Sequence, residues 1–521
     1  MNCIKMKNNF FLIFTLWFSM SNLVAQITPE QMVKRMGRGI NIGNVLSAPV
    51  EGNWAPKITL KYFQDVSEAG FTCVRIPMDF FGSRTGGDTS IYSKAAGTSD
   101  SYTGNIDDYQ VSASYLNRVE QVVNWALGEG LVTIIDFHGS TLKTEFLYTF
   151  DRKNKHPDIK TDPTSAKRLA DLDKFTAIWT AISKRFKNTS ENLLFEVVNE
   201  PYFEIGEEDM NTINSKIISA IRNTGGNNAT RNIIITGGLK NAEEAPTTIN
   251  PAILNGDDHL IASFHYYKPN VFTKSSIEGK DQNSWGSAAD KAAIDAAFDS
   301  VLNWSADHDT EILLGEFGAD NSLGYDYSTG DLHVVNSNST GFADGGPDKA
   351  SRVAYYRYLA EQAINRGFAF TVWDAGPESN KTINKRTDAS STYNYDISQF
   401  NVISYNPKNT VKSTVQDTSI WVEDVKDALL TAGEWPLAVD DEVAVKDFVK
   451  IYPNPAKEYI SIASENPVKK LSVYSVLGRK LFEKSNTKQI TDLIDLKAGV
   501  YLIRIILENG NVYSDKFIIE K

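Results

Sequence analysis

The strongest constraint on the fold is a regular alternation of short apolar runs and longer amphipathic stretches between about residues 39 and 432. Most of the apolar runs are continuous, which is typical of strands buried on both faces. Parallel strands joined by crossover helices produce such an alternation. We predict eight strands, at 39–42, 72–76, 132–137, 193–198, 232–236, 260–265, 311–316 and 368–373.

Helical patterns, such as those at 115–128 and 166–187, lie between these strands. Eight βα units in about 400 residues favour an α/β fold, a (β/α)8 TIM barrel with some long loops. The alternative is a doubly wound open sheet. It is disfavoured because no Gly-rich phosphate-binding fingerprint follows the first strand.

The N-terminus is typical of an export signal. Lys5 and Lys7 precede the apolar run 10–18, and Ala25 is a small residue suited to cleavage. We therefore predict a signal peptide at 1–25. No later apolar run approaches the ~20 residues of a transmembrane helix, so we expect no membrane span.

The C-terminal part has a different pattern. We predict a barrel domain at 26–436, an acidic linker at 437–447 and a small all-β sandwich domain at 448–521. Short alternating strands at close spacing indicate a sandwich. They are predicted at 449–452, 458–463, 469–475, 480–484, 499–506 and 511–519.

Charge and cysteine content exclude several classes of function. The net charge of −12 argues against a nucleic-acid partner, because phosphate contacts need clustered Lys and Arg. Of the 2 cysteines, Cys3 lies in the predicted signal, which leaves Cys73 without an intrachain partner. We expect neither a disulfide framework nor a cysteine-based metal site, and an inert core thiol at Cys73.

Nearly every predicted strand ends in a reactive or hydrogen-bonding side chain. In a (β/α)8 barrel, catalysis takes place at these ends. Buried charge is costly unless it is paired, so such a convergence is hard to explain by packing alone. The candidates are Arg75, His138, Asn199, Glu200, His265, Tyr267, Glu316 and Trp373.

Glu200 and Glu316 suit glycoside hydrolysis, in which one carboxylic acid protonates the leaving oxygen and one carboxylate attacks the anomeric carbon. Their environments must then differ, since one is neutral and the other ionised. We expect Arg75 to keep Glu316 ionised. We expect Asn199 to hydrogen-bond a sugar 2-hydroxyl. The two carboxyls should lie about 5–5.5 Å apart across one cleft.

The other candidates have supporting roles. His138 and His265 are expected to orient hydroxyls or carboxylates, Tyr267 to hydrogen-bond Glu316, and Trp373 to form a floor beneath the sugar. Each also has a plain structural explanation, as a paired, backbone-bonded or packed residue of the barrel. The histidine spacing matches no metal motif, and no Gly-x-Ser-x-Gly elbow is present.

The segment 320–349 is rich in Asn, Asp, Ser and Gly and follows the seventh strand, so we predict a long loop. Its carboxylates suit either calcium or simple solvation. Elsewhere we predict no metal and no cofactor.

Residues 36–435 resemble glycoside hydrolase family 5, the large cellulase-like family. The resemblance implies a retaining mechanism with Glu200 as acid/base and Glu316 as nucleophile. It also implies a monomer that needs no cofactor. The residues to which it assigns supporting roles are Arg75, His138, His265, Tyr267 and Trp373. The segments that carry it are 39–44 (GINIGN), 74–77 (VRIP), 136–138 (DFH), 195–201 (FEVVNEP), 265–267 (HYY), 315–318 (GEFG) and 372–374 (VWD).

One segment departs from the family pattern. Many members carry a second His after the third strand and a Trp shortly after it, whereas this chain has Gly139 and the stretch 141–143 (TLK). The departure bears on subsite contacts and so on the preferred sugar. We favour endo-cleavage of β-1,4-glucan. A mannanase or xylanase of the same family, or a non-catalytic glycan-binding barrel, is the alternative.

The last ~74 residues resemble the C-terminal sorting domain of the type IX secretion pathway. The resemblance implies that the type IX machinery is a partner and carries the protein through the periplasm and outer membrane to be secreted or held on the cell surface. A carbohydrate-binding module is disfavoured, since this domain contains no Trp. The matching segments are 451–455 (IYPNP), 473–479 (VYSVLGR), 496–501 (LKAGVY) and 516–519 (KFII).

Overall fold

The structure is a computed structural model. It describes residues 27–52, 54–92, 101–139, 145–146, 165–201, 205–238, 243–275, 282–321, 325–326, 331–332, 346–376, 381–384, 386, 394–396, 401–404, 419–433, 449–464, 466–475, 480–490, 493, 496–508 and 512–520.

Eight parallel strands of the described chain close into a barrel, in which β8 pairs with β1 through Arg38 and Phe370. The closure excludes the open sheet, and all eight predicted strands are present with ends within two residues of the expected ones. Every strand residue is buried or nearly so, as expected for strands covered on both faces. The strands are β1 Arg38–Asn41, β2 Cys73–Met78, β3 Val132–Phe137, β4 Leu193–Glu196, β5 Ile233–Ile235, β6 Leu260–Tyr266, β7 Glu311–Phe317 and β8 Ala369–Val372.

Helices cover the outside of the barrel, and side-chain caps begin several of them. Ser165 accepts from the Arg168 N–H at the start of α4, which satisfies an N–H group with no partner inside the helix. Gly70 ends α2 in the left-handed conformation that glycine adopts without strain. The helices are α1 Pro29–Met36, α2 Leu60–Ala69, α3 Ala113–Gly128, α4 Ala166–Phe186, α5 Glu207–Arg222, α6 Pro251–Leu254, α7 Asn270–Thr273, α8 Ala288–His308, α9 Lys349–Asn365 and α10 Glu423–Leu430.

The interior of the barrel changes character along its axis. Near the strand starts, Met32 and Met36 of α1 pack with inward strand residues such as Cys73 and Leu313, which closes that end. The residues that face the helices, such as Leu314, belong to a separate hydrophobic cluster. Towards the strand ends the inward positions are polar, so the open end of the barrel presents charged groups. These inward polar residues include Asn41, Arg75, Asp136, Glu196, Ser263 and Thr371, all of them buried and three of them charged.

The C-terminal region contains two antiparallel sheets that share one hydrophobic core, as predicted for a sandwich. One sheet has the order β9-β10-β13 and the other β12-β11-β14-β15. The short strand β13 is an addition to the predicted six. The strands are β9 Val449–Tyr452, β10 Ile460–Ser464, β11 Val468–Ser475, β12 Lys480–Ser485, β13 Gln489–Ile490, β14 Gly499–Leu507 and β15 Val512–Ile519.

Some predicted segments lie outside the described residues. These are the signal peptide 1–25, the linker 437–447 and most of the 320–349 loop. Within the described part of that segment, Tyr325–Asp326 pairs with Asp331–Leu332 as a short antiparallel ladder, which the loop prediction did not include. Backbone polar groups need hydrogen-bond partners, and this pairing supplies them for these residues. A second short pair, Asn394–Asp396 with Asn401–Ser404, lies beyond β8.

Within the described residues, no helix combines the length and apolar character needed to cross a bilayer.

Candidate active site

All eight predicted site residues lie at the open end of the barrel, on or just after the strands that were predicted to carry them. Strand β4 ends at Glu196, so Asn199 and Glu200 occupy the loop that follows it. Because parallel strands in a barrel run the same way, their carboxyl ends converge on one rim. Local sequence thus places these residues at the rim of the barrel.

Arg75 is the centre of the site and is completely buried. Its Nε and Nη2 donate to both oxygens of Glu196 at 2.7 and 2.9 Å, and its Nη1 donates to Glu316 Oε1 at 2.8 Å. Asp136 Oδ2 lies 3.0 Å from Nη2. Burial lowers the pKa of Arg75, but the Asp136, Glu196 and Glu316 charges outweigh burial and raise it well above its ordinary value. The guanidinium is a permanent cation among three carboxylates.

Glu316 is buried, with 6% of its side chain exposed. Besides Arg75, it accepts a hydrogen bond of 2.9 Å from the Tyr267 hydroxyl at Oε2. Burial raises the pKa of Tyr267 well above its usual value, and the charge of Glu316 adds to the shift, so the phenol keeps its proton and remains a donor. Both predicted contacts, with Arg75 and with Tyr267, are present.

Glu200 has different surroundings. Its side chain is 30% exposed, and His265 Nδ1 lies 2.9 Å from its Oε1. Burial alone lowers the pKa of His265, but the Glu316 charge and the bond with Glu200 outweigh it and raise the pKa. One carboxyl therefore has a permanent cation beside it, whereas the other has a titratable imidazole and access to solvent.

The two carboxyls face each other across the cleft. One oxygen of Glu200, one oxygen of Glu316 and a ring nitrogen of His265 all lie within 4.8 Å of one another. The same three groups have the composition of a cation site. However, Arg75 and Tyr267 occupy the oxygens of Glu316, and an adjacent guanidinium opposes a second cation. The arrangement is better suited to proton transfer and nucleophilic attack.

His138 and Trp373 form one wall of the site. Their rings stack with centroids 5.6 Å apart and planes 19° apart, and His138 Nδ1 lies 3.2 Å from Asp136 Oδ2. The indole lies against Gly43, where an added Cβ would approach Trp373 carbons to 2.9 Å. The glycine of the 39–44 segment therefore provides the space in which this indole lies.

Asn199 is held by the same cation as Glu316. Its amide oxygen accepts a 2.8 Å bond from Arg75 Nη2, and its backbone N–H donates to Phe137 O at 3.0 Å. Because the amide oxygen accepts this bond from Arg75, the Asn199 side chain would contact a bound sugar hydroxyl through its amide nitrogen, as a donor.

Sequence reasoning missed the residues that hold Arg75. Glu196 lies inside a predicted strand and Asp136 at a predicted strand end, but neither was given a role. Asn41, whose amide oxygen accepts a 2.9 Å bond from Arg75 Nη1, was not predicted as a site residue either. A usable signal was present. Glu196 and Arg75 are isolated opposite charges within otherwise apolar strands, and buried charges are normally paired.

The departure at Gly139 has a steric cause. An added Cβ there would lie 2.0 Å from Oδ2 of Asp79, which is fully buried. A histidine at this position would require Asp79 to move. The neighbouring stretch 141–143 lies outside the described residues.

Comparison with known proteins agrees with the fold. Residues 37–379 match the family Cellulase (glycosyl hydrolase family 5), and residues 450–520 match the secretion system C-terminal sorting domain. Endoglucanase H of Acetivibrio thermocellus is 34% identical over 351 residues, which are 67% of this chain but only 31% of that protein. Endoglucanase B of Clostridium cellulovorans is 30% identical over 368 residues, 68% of this chain and 69% of that protein.

A solved structure resembles the chain in fold. The broad specificity endoglucanase from Clostridium acetobutylicum superposes with a TM-score of 0.54 at 23% identity, and the match covers 77% of this chain and 99% of that one. The family match begins just before β1 and extends past β8, so it includes every strand that carries a site residue. With this match across the whole barrel, the chain belongs to glycosyl hydrolase family 5, the cellulase family.

Proposed function

We propose that the protein is an endo-acting, retaining β-1,4-glucanase with Glu316 as nucleophile and Glu200 as general acid/base. The observation that carries the proposal is the facing pair of carboxyls, which have different partners and of which one oxygen each lies within 4.8 Å of the other. Arg75 and Tyr267 stabilise the ionised form of Glu316, which attack requires.

In the first step a Glu316 oxygen attacks the anomeric carbon while the glycosidic C–O bond breaks. Glu200 gives its proton to the departing oxygen, and a glycosyl ester of Glu316 forms. In the second step Glu200, now ionised, takes a proton from water as the water attacks the same carbon. The ester bond breaks and Glu316 leaves as a carboxylate, so each residue regains its starting state.

The separation of the carboxyls supports this pathway over single displacement. Retaining enzymes hold the two groups about 5–5.5 Å apart, whereas inverting enzymes leave about 6.5–9.5 Å for a water molecule. One oxygen of Glu200 and one of Glu316 lie within 4.8 Å of each other, which favours the shorter separation.

The choice of β-1,4-glucan rests on the relatives, which are named endoglucanases. The Trp373 indole offers a flat apolar surface of the kind on which a sugar face packs. Asn199 is positioned to donate its amide N–H to the 2-hydroxyl, a contact that strengthens in the transition state.

The C-terminal match supports export by the type IX route. We propose a signal peptide at 1–25, a barrel domain at 26–436, a linker at 437–447 and a sorting domain at 448–521, with the barrel acting as a monomer. Mass spectrometry of the native secreted protein tests this organisation. An N-terminus before residue 26, or retention inside the cell of the full-length protein with its sorting domain intact, would contradict it.

Purified protein should release reducing ends from carboxymethylcellulose and barley β-glucan faster than from glucomannan or xylan. Glu316→Gln should abolish this while the variant still folds and unfolds cooperatively. A faster reaction on glucomannan or xylan would reassign the substrate. Binding of glucan without cleavage would indicate a glycan-binding barrel, and inversion at the anomeric carbon by NMR would refute double displacement.

A further inference from the structure

A β-bulge lies in β7 immediately before Glu316. The register of β6 and β7 pairs Phe264 with Leu314 but next pairs His265 with Glu316, so Gly315 is the extra residue. A bulge bends the strand and redirects the side chains that follow it.

The bulge decides which face of the barrel Glu316 occupies. Leu313 belongs to the inner cluster and Leu314 to the outer one, so strict alternation would direct residue 316 outward to the helices. With one extra residue, Glu316 instead faces inward and contacts Arg75, whereas Phe317 packs in the outer cluster. A one-residue shift of this kind exchanges the two faces of a strand.

Two side chains hold the bulged peptide. The β7–β8 ladder ends at Leu314 and Phe370, so the Gly315 carbonyl lies beyond it. That carbonyl accepts a 2.6 Å bond from Thr371 Oγ1 and a 3.0 Å bond from Asn41 Nδ2. Both residues are fully buried, and a buried carbonyl without a partner would be costly.

The bulge also needs a residue without a side chain. A Cβ at Gly315 would lie 2.8 Å from both His265 Nε2 and Ser263 Oγ. The His265 imidazole, which contacts Glu200, thus packs directly against the bulged peptide. The bulge therefore affects the position of Glu316 through the backbone and that of Glu200 through His265.

We propose that Thr371 is a positioning residue for the reaction: its hydroxyl, with the Asn41 amide, fixes the bulged Gly315 peptide and so sets Glu316 against Arg75 and Tyr267. The inference rests on the proposed function, in which Glu316 is the nucleophile. Thr371 itself makes no contact with Glu316 in the described hydrogen bonds and ion pairs, so it acts through the backbone.

The test is Thr371→Val, which keeps the shape of the side chain and removes the hydroxyl donor. A nucleophile displaced by a fraction of an ångström should lower kcat about 10- to 100-fold with little change in KM. Thr371→Ser, which keeps the hydroxyl donor, should restore most of the lost kcat.

Thr133→Val is the matched control. Thr133 is also a buried barrel threonine whose hydroxyl donates to a backbone carbonyl, that of Leu131, but it lies remote from Gly315. Folded Thr371→Val with the kcat and KM of Thr133→Val would overturn the proposal. If Thr371→Val does not fold, Thr371→Ala against Thr371→Ser decides: a lower kcat at similar KM in the alanine variant alone supports the proposal, and equal kinetics in the two variants overturn it.

Failure of the proposed function has a different signature. It would be seen as an inactive wild-type protein, whereas failure of the present inference leaves wild-type hydrolysis intact.

Discussion

Nη1 of Arg75 lies 2.8 Å from Oε1 of Glu316, and the guanidinium is fully buried while also contacting Glu196 and Asp136. The Arg75 side chain thus compensates the negative charges of three acidic residues, each from a different strand or strand end, and places a positive charge at the base of the cleft. Its loss would leave several buried carboxylates without a cation.

Arg75→Gln should therefore lower the free energy of unfolding and abolish hydrolysis. Removing one partner of a buried pair costs about 3–5 kcal/mol, because the remaining charge is uncompensated. Urea unfolding measures the loss. Arg222→Gln is the control, since Arg222 pairs with Asp257 in a more exposed position. Equal losses in the two variants would contradict a central role for Arg75.

Glu200→Ala should affect substrates according to their leaving groups. A cellobioside with a dinitrophenolate leaving group needs no proton donor, so its first step should proceed almost as in the wild type, while cellulose hydrolysis is lost. A burst of dinitrophenol followed by a slow phase measures this, since the second step still lacks its base. Glu316→Ala is the control and should lose both reactions. An equal loss of both reactions in Glu200→Ala would refute its acid role.

His265 should contribute a pH-dependent part of the stability. Burial opposes the charged form, but Glu316 and Glu200 raise the pKa of His265 above its unfolded value. Because the pKa is higher in the folded than in the unfolded protein, protonation of His265 stabilises the fold. This contribution is fully present at a pH below the unfolded-state pKa of about 6.5 and is lost as the pH rises through the folded-state pKa.

The Tm difference between wild type and His265→Asn should therefore be larger at low pH and shrink in alkaline buffer. His308→Asn, on the outer helix α8, reports the general effect of pH. A Tm difference that grows with pH would contradict the assigned direction.

Gly43→Ala should impair substrate binding. The new Cβ would lie 2.9 Å from the Trp373 indole, so the ring must move from its place in the wall of the site. If sugar packs on this ring as proposed, its displacement should raise KM and lower kcat/KM about tenfold or more. Gly128→Ala, where an added Cβ meets nothing within 4 Å, is the control. Wild-type kinetics in Gly43→Ala would show that Trp373 does not require this space.

The local pattern of the chain was sufficient for much of the fold. Buried parallel strands are continuous apolar runs, so the positions of all eight barrel strands could be predicted to within two residues. The strand ends also identified the eight candidate residues, since parallel strands must deliver their ends to one rim. The short strand β13 escaped prediction because two residues have no recognisable periodicity.

The partners within the site could not be predicted in the same way. Asn41 bonds to Arg75 from the neighbouring strand and Glu196 bonds to it from two strands away, and both contacts depend on barrel register.

The sequence by itself determined the barrel and the sorting domain and placed Glu200 and Glu316 at strand ends, because periodicity and motifs are local properties. Only the tertiary structure decided that Glu316 faces the cleft. Strict alternation along β7 would direct it outward, and the bulge at Gly315 reverses that direction because side chains of β1 and β8 hold its carbonyl.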